Sequence, residues 1–396
     1  MKPFEFITAA RIIFGAGEIK HLAELGPPFG SVAVIIHAGD EDALDLLRIK
    51  RILEGKQIKL TFIRQRGEPN VPLVDAMVEK ARRVDCDWVI GMGGGSAIDA
   101  AKAVAGLLGN GGNALDYVEV MGKGQKLTKP AAPWIAIPTT AGTGAEVTRN
   151  AVLTAKNFKV SMRSEHLLAR LAIVDPELGK DVPKDVIAAS GMDALCQLIE
   201  SYTSTGANAI TDDLALHGIE AAAGALLSLY KNPRDVALRE PMFLAALLSG
   251  ITLTNAGLGA VHGFAAPLGA HFPIPHGMIC AALLPAVIQA NVKALREQNQ
   301  EHEGLSRYAA IAKVITRDGA LTIDAAIDIL LATLRCMLRD LHIPPLSKFN
   351  VQEPDIPDLV YLARHSSSMK YNPVKLSDEA LAGILRAGIA GYPDAK

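Results

Sequence analysis

A chain of 396 residues with a formal net charge of -2 has room for two domains, and its near-neutral balance excludes a basic nucleic-acid groove or a surface built for anionic membranes. Hydrophobic residues make up 49% and aromatic residues only 5%, so the core is expected to be aliphatic, built from Ala, Leu, Ile and Val. Four scattered cysteines (Cys86, Cys196, Cys280, Cys336) without a Cys-x-x-Cys pair predict free buried thiols in a reducing compartment and argue against a zinc–cysteine site.

Residues 1–15, MKPFEFITAARIIFG, alternate apolar and polar side chains like a strand. They lack the apolar core and cleavage site of a signal peptide, so a cytoplasmic protein is expected. A buried strand follows at 31–37, then a helix at 41–54 with Leu44, Leu46, Leu47, Ile52 and Leu53 on its apolar face. Next come a strand at 59–63, a helix at 71–84, a strand at 88–92 ending in glycines, and a helix at 98–108. The run GNGGN at 109–113 reads as an exposed loop, and 134–138 and 171–174 as further strands. Strand-then-helix alternation predicts a parallel sheet with helices on both faces, an α/β domain of Rossmann-like layout over 1–180.

After residue 180 the pattern is helical nearly throughout: 183–203, 208–230, 234–256, 277–298, 304–317, 322–341, 355–365 and 377–388. An all-α domain is therefore expected over 181–396. Residues 241–292 contain no Asp, Glu, Lys or Arg, which means burial. Gly257, Gly259, Pro267, Pro273 and Pro275 interrupt the run, which argues against a membrane span of about 20 continuous apolar residues. Two buried helices, at 241–256 and 277–291, with a Gly/Pro/His-rich link between them, are expected instead. His262, His271 and His276 cluster in this stretch; buried imidazoles need partners, and imidazole is the commonest metal ligand.

Two loops carry phosphate-binding chemistry. GMGGGSAIDAAK, residues 91–102, follows a strand and opens a helix, so backbone amides and the helix N-terminus suit a pyrophosphate. The spacing is not GxGxxG, and a tight strand–helix turn would use the same glycines. Asp99 can cap the helix or reach a ribose, and Lys102 fits a solvated helix face as well as a ligand. PTTAGTGAEVT, residues 138–148, is a second Gly/Thr loop after a strand; paired with the first, it favours cofactor binding. Asp193 and Gln197 are four residues apart on a mostly apolar helix, hence on one face, whereas Cys196 and Glu200 do not share that face.

Through GGGSAIDAAK, PTTAGTGAEVT, GMDAL and VHGFAAPLGAHFPIPHG the chain resembles the iron-containing (group III) alcohol dehydrogenases over almost its whole length. The resemblance implies a dehydroquinate-synthase-like architecture, an α/β domain followed by a helical one. It implies NAD or NADP held at Gly93, Gly94, Gly95, Ser96, Asp99, Thr139, Thr140, Thr143 and Lys159. It also implies a divalent metal, iron or zinc, at Asp193, Gln197, His262 and His276. Gln197 departs from the family pattern, where a histidine stands; a neutral amide oxygen is a weaker ligand. Ala266 departs too, where many relatives carry a proton-relaying histidine, and His271 is the nearby imidazole that could substitute. At the end of the second strand Gly39 replaces the acidic residue that reads a ribose 2′-hydroxyl in NAD-preferring relatives, with Asp40 one step later, which leans toward NADP.

The implied function is an NAD(P)-dependent oxidoreductase that interconverts a small neutral alcohol and its aldehyde or ketone, with the metal polarising the substrate oxygen. His262, His276 and His271 are the candidate catalytic imidazoles. Three alternatives compete: a metal-free NAD(P)H-dependent reductase using His262 or His276, a lyase or phosphosugar enzyme on the same fold, and a nucleotide sensor. The lyase class needs cationic residues for phosphate, and 241–292 has none. The loop at 366–372 offers a lysine but reads as solvated. A homodimer is expected, with no nucleic-acid or membrane partner.

Overall fold

The computed structural model describes residues 3–40, 42–155 and 158–392. Two compact units emerge: residues 7–182, and residues 183–392 together with 3–6.

In the first unit, short apolar-rich runs form β1 (Ile12–Phe14), β2 (Val32–His37), β4 (Trp88–Gly93), β5 (Trp134–Pro138) and β8 (Leu171–Val174), and the more polar KLTFIR forms β3 (Lys59–Arg64). They pair in parallel in the order β1-β8-β5-β4-β2-β3. Register places Phe62, Ile35, Ile90, Ile135 and Leu171 in one row across the sheet. Ile35, Ile90 and Ile135 are fully buried, each side chain contributing about 1.5–3 kcal/mol of hydrophobic stabilisation. The helices of this unit are α1 (Leu22–Leu25), α2 (Leu44–Glu54), α3 (Val71–Arg83), α4 (Gly95–Asn110) and α5 (Ala114–Tyr117). Asn70 caps α3 by accepting from the Leu73 amide, with Pro72 in the first turn.

Several expectations need correction. Residues 3–11 are not a strand; only Ile12–Phe14 pair. Glu41, where the reading started a helix, lies outside the described residues, and α2 begins at Leu44. Leu44 is 81% exposed, and the buried stripe of α2 is Leu46, Ile49 and Leu53. Gly109 and Asn110 belong to α4 rather than to a loop. An antiparallel hairpin, β6 (Asn150–Ala155) with β7 (Phe158–Arg163), was not anticipated.

The second unit is helical: α6 (Lys184–Thr203), α7 (Ala209–Lys231), α8 (Val236–Ala256), α9 (Ala260–His271), α10 (His276–Gln298), α11 (Glu303–Thr316), α12 (Ile323–Asp340), α13 (Ile356–Arg364) and α14 (Asp378–Ala390). The charge-free stretch is α8, α9 and most of α10, so the expected link is itself largely helix. By length and composition α8 and α10 could cross a membrane, but 61% and 78% of their most apolar windows are buried inside the protein. Their apolarity is that of core helices.

Candidate active site

Gly93 and Pro138 are paired at the ends of β4 and β5, so the two glycine-rich loops leave adjacent strands at the same edge of the sheet. Thr139 continues the contact by donating its amide to the Gly93 carbonyl at 2.9 Å. Gly93 has φ +147°, and a Cβ there would meet Ala38 and Ala97 at 2.9 Å, so no larger residue fits this turn. A Cβ on Gly95 would meet Thr143 at 2.9 Å, which shows how closely the loops pack. The first turn of α4, at N-cap Gly94, has no side-chain cap, and Gly94, Gly95, Ser96, Thr139, Thr140 and Thr143 are all partly exposed. An uncapped helix N-terminus ringed by small residues and hydroxyls fits a dinucleotide phosphate.

Lys102 is neither a solvated face nor a ligand. It is fully buried, and its Nζ donates to Thr148 Oγ1 and the Asn150 carbonyl at 2.7 Å and to the Ala145 carbonyl at 2.9 Å. Asp99 stands 3.3 Å from Nζ and also accepts from the Val152 amide, so both its oxygens serve the protein. Burial lowers the Lys102 pKa and raises that of Asp99, each opposed by the other's charge. Burial also pushes the Glu146 carboxyl up to about 7, against hydrogen bonding to its own backbone and the Lys102 charge. Lys159 pairs with Glu68 at 3.6 Å. Gly39 is exposed, its carbonyl 3.1 Å from His37 Nδ1, and Asp40 pairs with Arg64 at 2.5 Å.

In the helical unit Asp193 and Gln197 lie one turn apart on α6, 2% and 3% exposed. His262 is the third residue of α9, and His276 the first of α10. A Cβ on Gly277 would meet the Ala189 carbonyl oxygen at 2.0 Å, so glycine lets the start of α10 touch the α6 backbone and brings His276 beside Asp193. Asp193 Oδ1 is 3.4 Å from His262 Nε2 and 3.6 Å from His276 Nε2. That oxygen is buried and accepts no hydrogen bond of ordinary geometry. Burial opposes its charge, but the His276 and His262 imidazoles outweigh this and hold the carboxyl below its usual range. A buried acceptor facing two imidazole nitrogens is the donor set of a divalent cation, so these residues fit the metal.

The structure separates the expected ligands. Asp193, His262 and His276 converge, and Cys280 joins them, all four ligand atoms lying within 4.8 Å of one another. Gln197 touches the group but does not offer it the amide oxygen: its Nε2 donates to Asp193 Oδ2 at 3.1 Å and its Oε1 accepts from Ser249 Oγ at 2.9 Å. His271 ends α9, exposed, with Nδ1 2.8 Å from the Pro267 carbonyl, and is not part of the group. Glu200, which is off the face shared by Asp193 and Gln197 in the sequence pattern, accepts from His262 Nδ1 at 2.7 Å. This holds the proton on Nδ1 and turns Nε2 toward Asp193, the usual support of a metal-ligating imidazole. Asn372 accepts from the Ala260 amide at 3.1 Å and steadies the start of α9. The i,i+4 spacing of His276 and Cys280 was the one signal that could have revealed the thiol. All four cysteines are free, but only Cys196 and Cys280 are buried; Cys336 is exposed.

Residues 9–176 match the model of iron-containing alcohol dehydrogenases, and residues 187–389 that of the Fe-containing alcohol dehydrogenase family, C-terminal. Alcohol dehydrogenase 4 of Saccharomyces cerevisiae is 33% identical over 343 residues, 86% of each chain. The 1,3-propanediol dehydrogenase of Klebsiella pneumoniae is 35% identical over 310 residues, 77% of this chain and 76% of its own. Among solved structures, a 1,3-propanediol oxidoreductase superposes with a TM-score of 0.91 at 29% identity, covering 98% of this chain and all of its own. Sulfoacetaldehyde reductase of Bifidobacterium kashiwanohense, in complex with NAD+, gives 0.86 at 28% identity, again over 98% of this chain and 100% of its own. The chain belongs to the iron-containing alcohol dehydrogenase family, and is an NAD(P)-dependent oxidoreductase that interconverts alcohols with their carbonyl counterparts.

Proposed function

We propose that Asp193, His262 and His276 hold the divalent cation of this enzyme, and that residues 93–96 with Thr139, Thr140 and Thr143 hold its nicotinamide nucleotide. The observation that carries the reading is the convergence of Asp193 Oδ1 with two imidazole Nε2 atoms at 3.4 and 3.6 Å. When bound, the cation polarises the substrate oxygen, while the nicotinamide takes up or delivers hydride. Glu200 engages His262 Nδ1, which leaves Nε2 as the ring nitrogen that would meet the cation. Asp193, His262 and Cys280 are buried while His276 is partly exposed, so the group sits largely out of water with one imidazole at its open side, which strengthens the charge interactions there.

The absence of Lys and Arg from 241–292 supports small neutral alcohols and aldehydes, the class in the names of the 1,3-propanediol and methanol dehydrogenases among the relatives. Faster reduction of sulfoacetaldehyde than of any neutral aldehyde would overturn that class. Gly39 offers the ribose no carboxylate and Asp40 is engaged by Arg64, which supports NADP; tighter NADH than NADPH in a fluorescence titration would reverse the choice. The free thiols support a reducing, cytoplasmic compartment. A homodimer belongs to the same proposal, and a single-chain mass in solution would remove it. The metal-free alternative drew on Gln197, and loses that support because ligand atoms converge without it.

The test is Asp193→Ala. It should lose retained metal by elemental analysis and alcohol oxidation together, while keeping nucleotide affinity. Full turnover in this variant would sink the metal assignment.

A further inference from the structure

We propose that Cys280 Sγ is the fourth protein ligand of the cation, replacing the imidazole that Gln197 does not supply. The inference deepens the metal reading above and rests on it. Cys280 Sγ lies 3.7 Å from His262 Nε2 and 3.7 Å from His276 Nε2. With the Asp193 Oδ1 distances of 3.4 and 3.6 Å, four edges of one four-cornered figure are defined. Metal–ligand bonds of about 2.0–2.3 Å in a tetrahedral site place neighbouring ligand atoms about 3.3–3.7 Å apart. The observed edges match that spacing.

Two independent features point the same way. Asp193 Oδ1, in a residue 2% exposed, accepts no hydrogen bond and faces the same point as the sulfur. Gln197 is held away by a donor–acceptor pair that its amide satisfies in one orientation only. Its Nε2 must face the Asp193 carboxylate, because an oxygen there would set two acceptors 3.1 Å apart. Its Oε1 then takes the Ser249 hydroxyl. Cys280 follows His276 by one turn of α10, so a single helix face delivers both ligands.

Cys280 binds as thiolate: the S–H bond breaks, its proton passes to solvent, and a sulfur–metal bond forms. Asp193 and Cys280 then supply two negative charges against a divalent ion, where an aspartate with neutral ligands supplies one. A soft thiolate also biases the site toward zinc or iron and away from magnesium and calcium.

The test is Co²⁺ added to the metal-stripped full-length chain and followed by absorption. Wild type should show a near-ultraviolet thiolate-to-cobalt charge-transfer band together with visible d–d bands. Cys280→Ser should lose the charge-transfer band. The double variant Cys280→Ser with Gln197→His should bind Co²⁺ with d–d bands alone, which keeps the test decisive if the single variant folds poorly. Wild-type d–d bands without charge transfer overturn the thiolate ligand but leave the metal reading intact. So does a charge-transfer band that persists in Cys280→Ser. Failure of the wild-type chain to bind Co²⁺, Zn²⁺ or Fe²⁺ at all overturns both.

Discussion

Glu200 shows how much one buried side chain can carry. Its Oε2 accepts from His262 Nδ1 at 2.7 Å, and its Oε1 accepts from the Val261 amide at 2.7 Å. One carboxylate therefore orients an imidazole of the proposed metal group and accepts from the buried amides at the start of α9, which have no partner within the helix. In Glu200→Gln the amide nitrogen must oppose a donor on one side or the other. Metal affinity should fall about 10–100-fold, read by competition with a chromophoric chelator, as when such supporting partners are lost elsewhere. Unchanged affinity would mean that Glu200 supports only the helix. The role of Glu200 is not legible in the sequence, because its partner lies 62 positions away and helical periodicity is blind to such pairs.

Elements were legible where local pattern decided them. Strands β2, β4, β5 and β8 follow apolar runs, β3 mixes apolar and polar residues, and the helices of the second unit follow apolar stripes or runs. Helix α9 was not legible, because Gly263, Pro267 and Gly269 inside it are poor helix formers and its N-terminal partners, Glu200 and Asn372, come from distant segments. The second glycine-rich loop is likewise held from outside itself. Lys102 on α4 gathers three oxygen acceptors from residues 145–150, so a helix side chain shapes a neighbouring loop. Glu146 shares this buried setting, with its carboxyl pushed up to about 7 by burial. A pKa raised on folding gives stability that is fully present below the unfolded value of 4.5 and is lost as pH rises through about 7. Glu146→Gln should thus gain on wild type as pH climbs from 5 to 8, by on the order of 2–3 kcal/mol at the top of the range. Urea unfolding across that range tests this; a pH-independent difference would contradict it.

At the scale of the whole molecule, the two proposed sites fall in different units: the glycine-rich loops lie within residues 7–182, and the converging Asp193, His262, His276 and Cys280 within 183–392. Each half could be read from its own motifs, the glycine-rich loops from their positions after strands and the histidines from a stretch with no charged residue. What the sequence did not disclose was which side chains meet. Asp193, His262 and His276 converge, Gln197 turns to Ser249, His271 stays apart, and Cys280 enters the group. The central claim is that turnover depends on a cation at this group, whereas nucleotide binding does not. The most direct measurement strips the wild-type chain with a chelator and follows NAD(P)H fluorescence and alcohol oxidation in the same sample, before and after Fe²⁺ or Zn²⁺ is returned. The account predicts intact nucleotide binding, lost oxidation, and recovery in proportion to metal restored. Undiminished oxidation by a chain shown to be metal-free would contradict it.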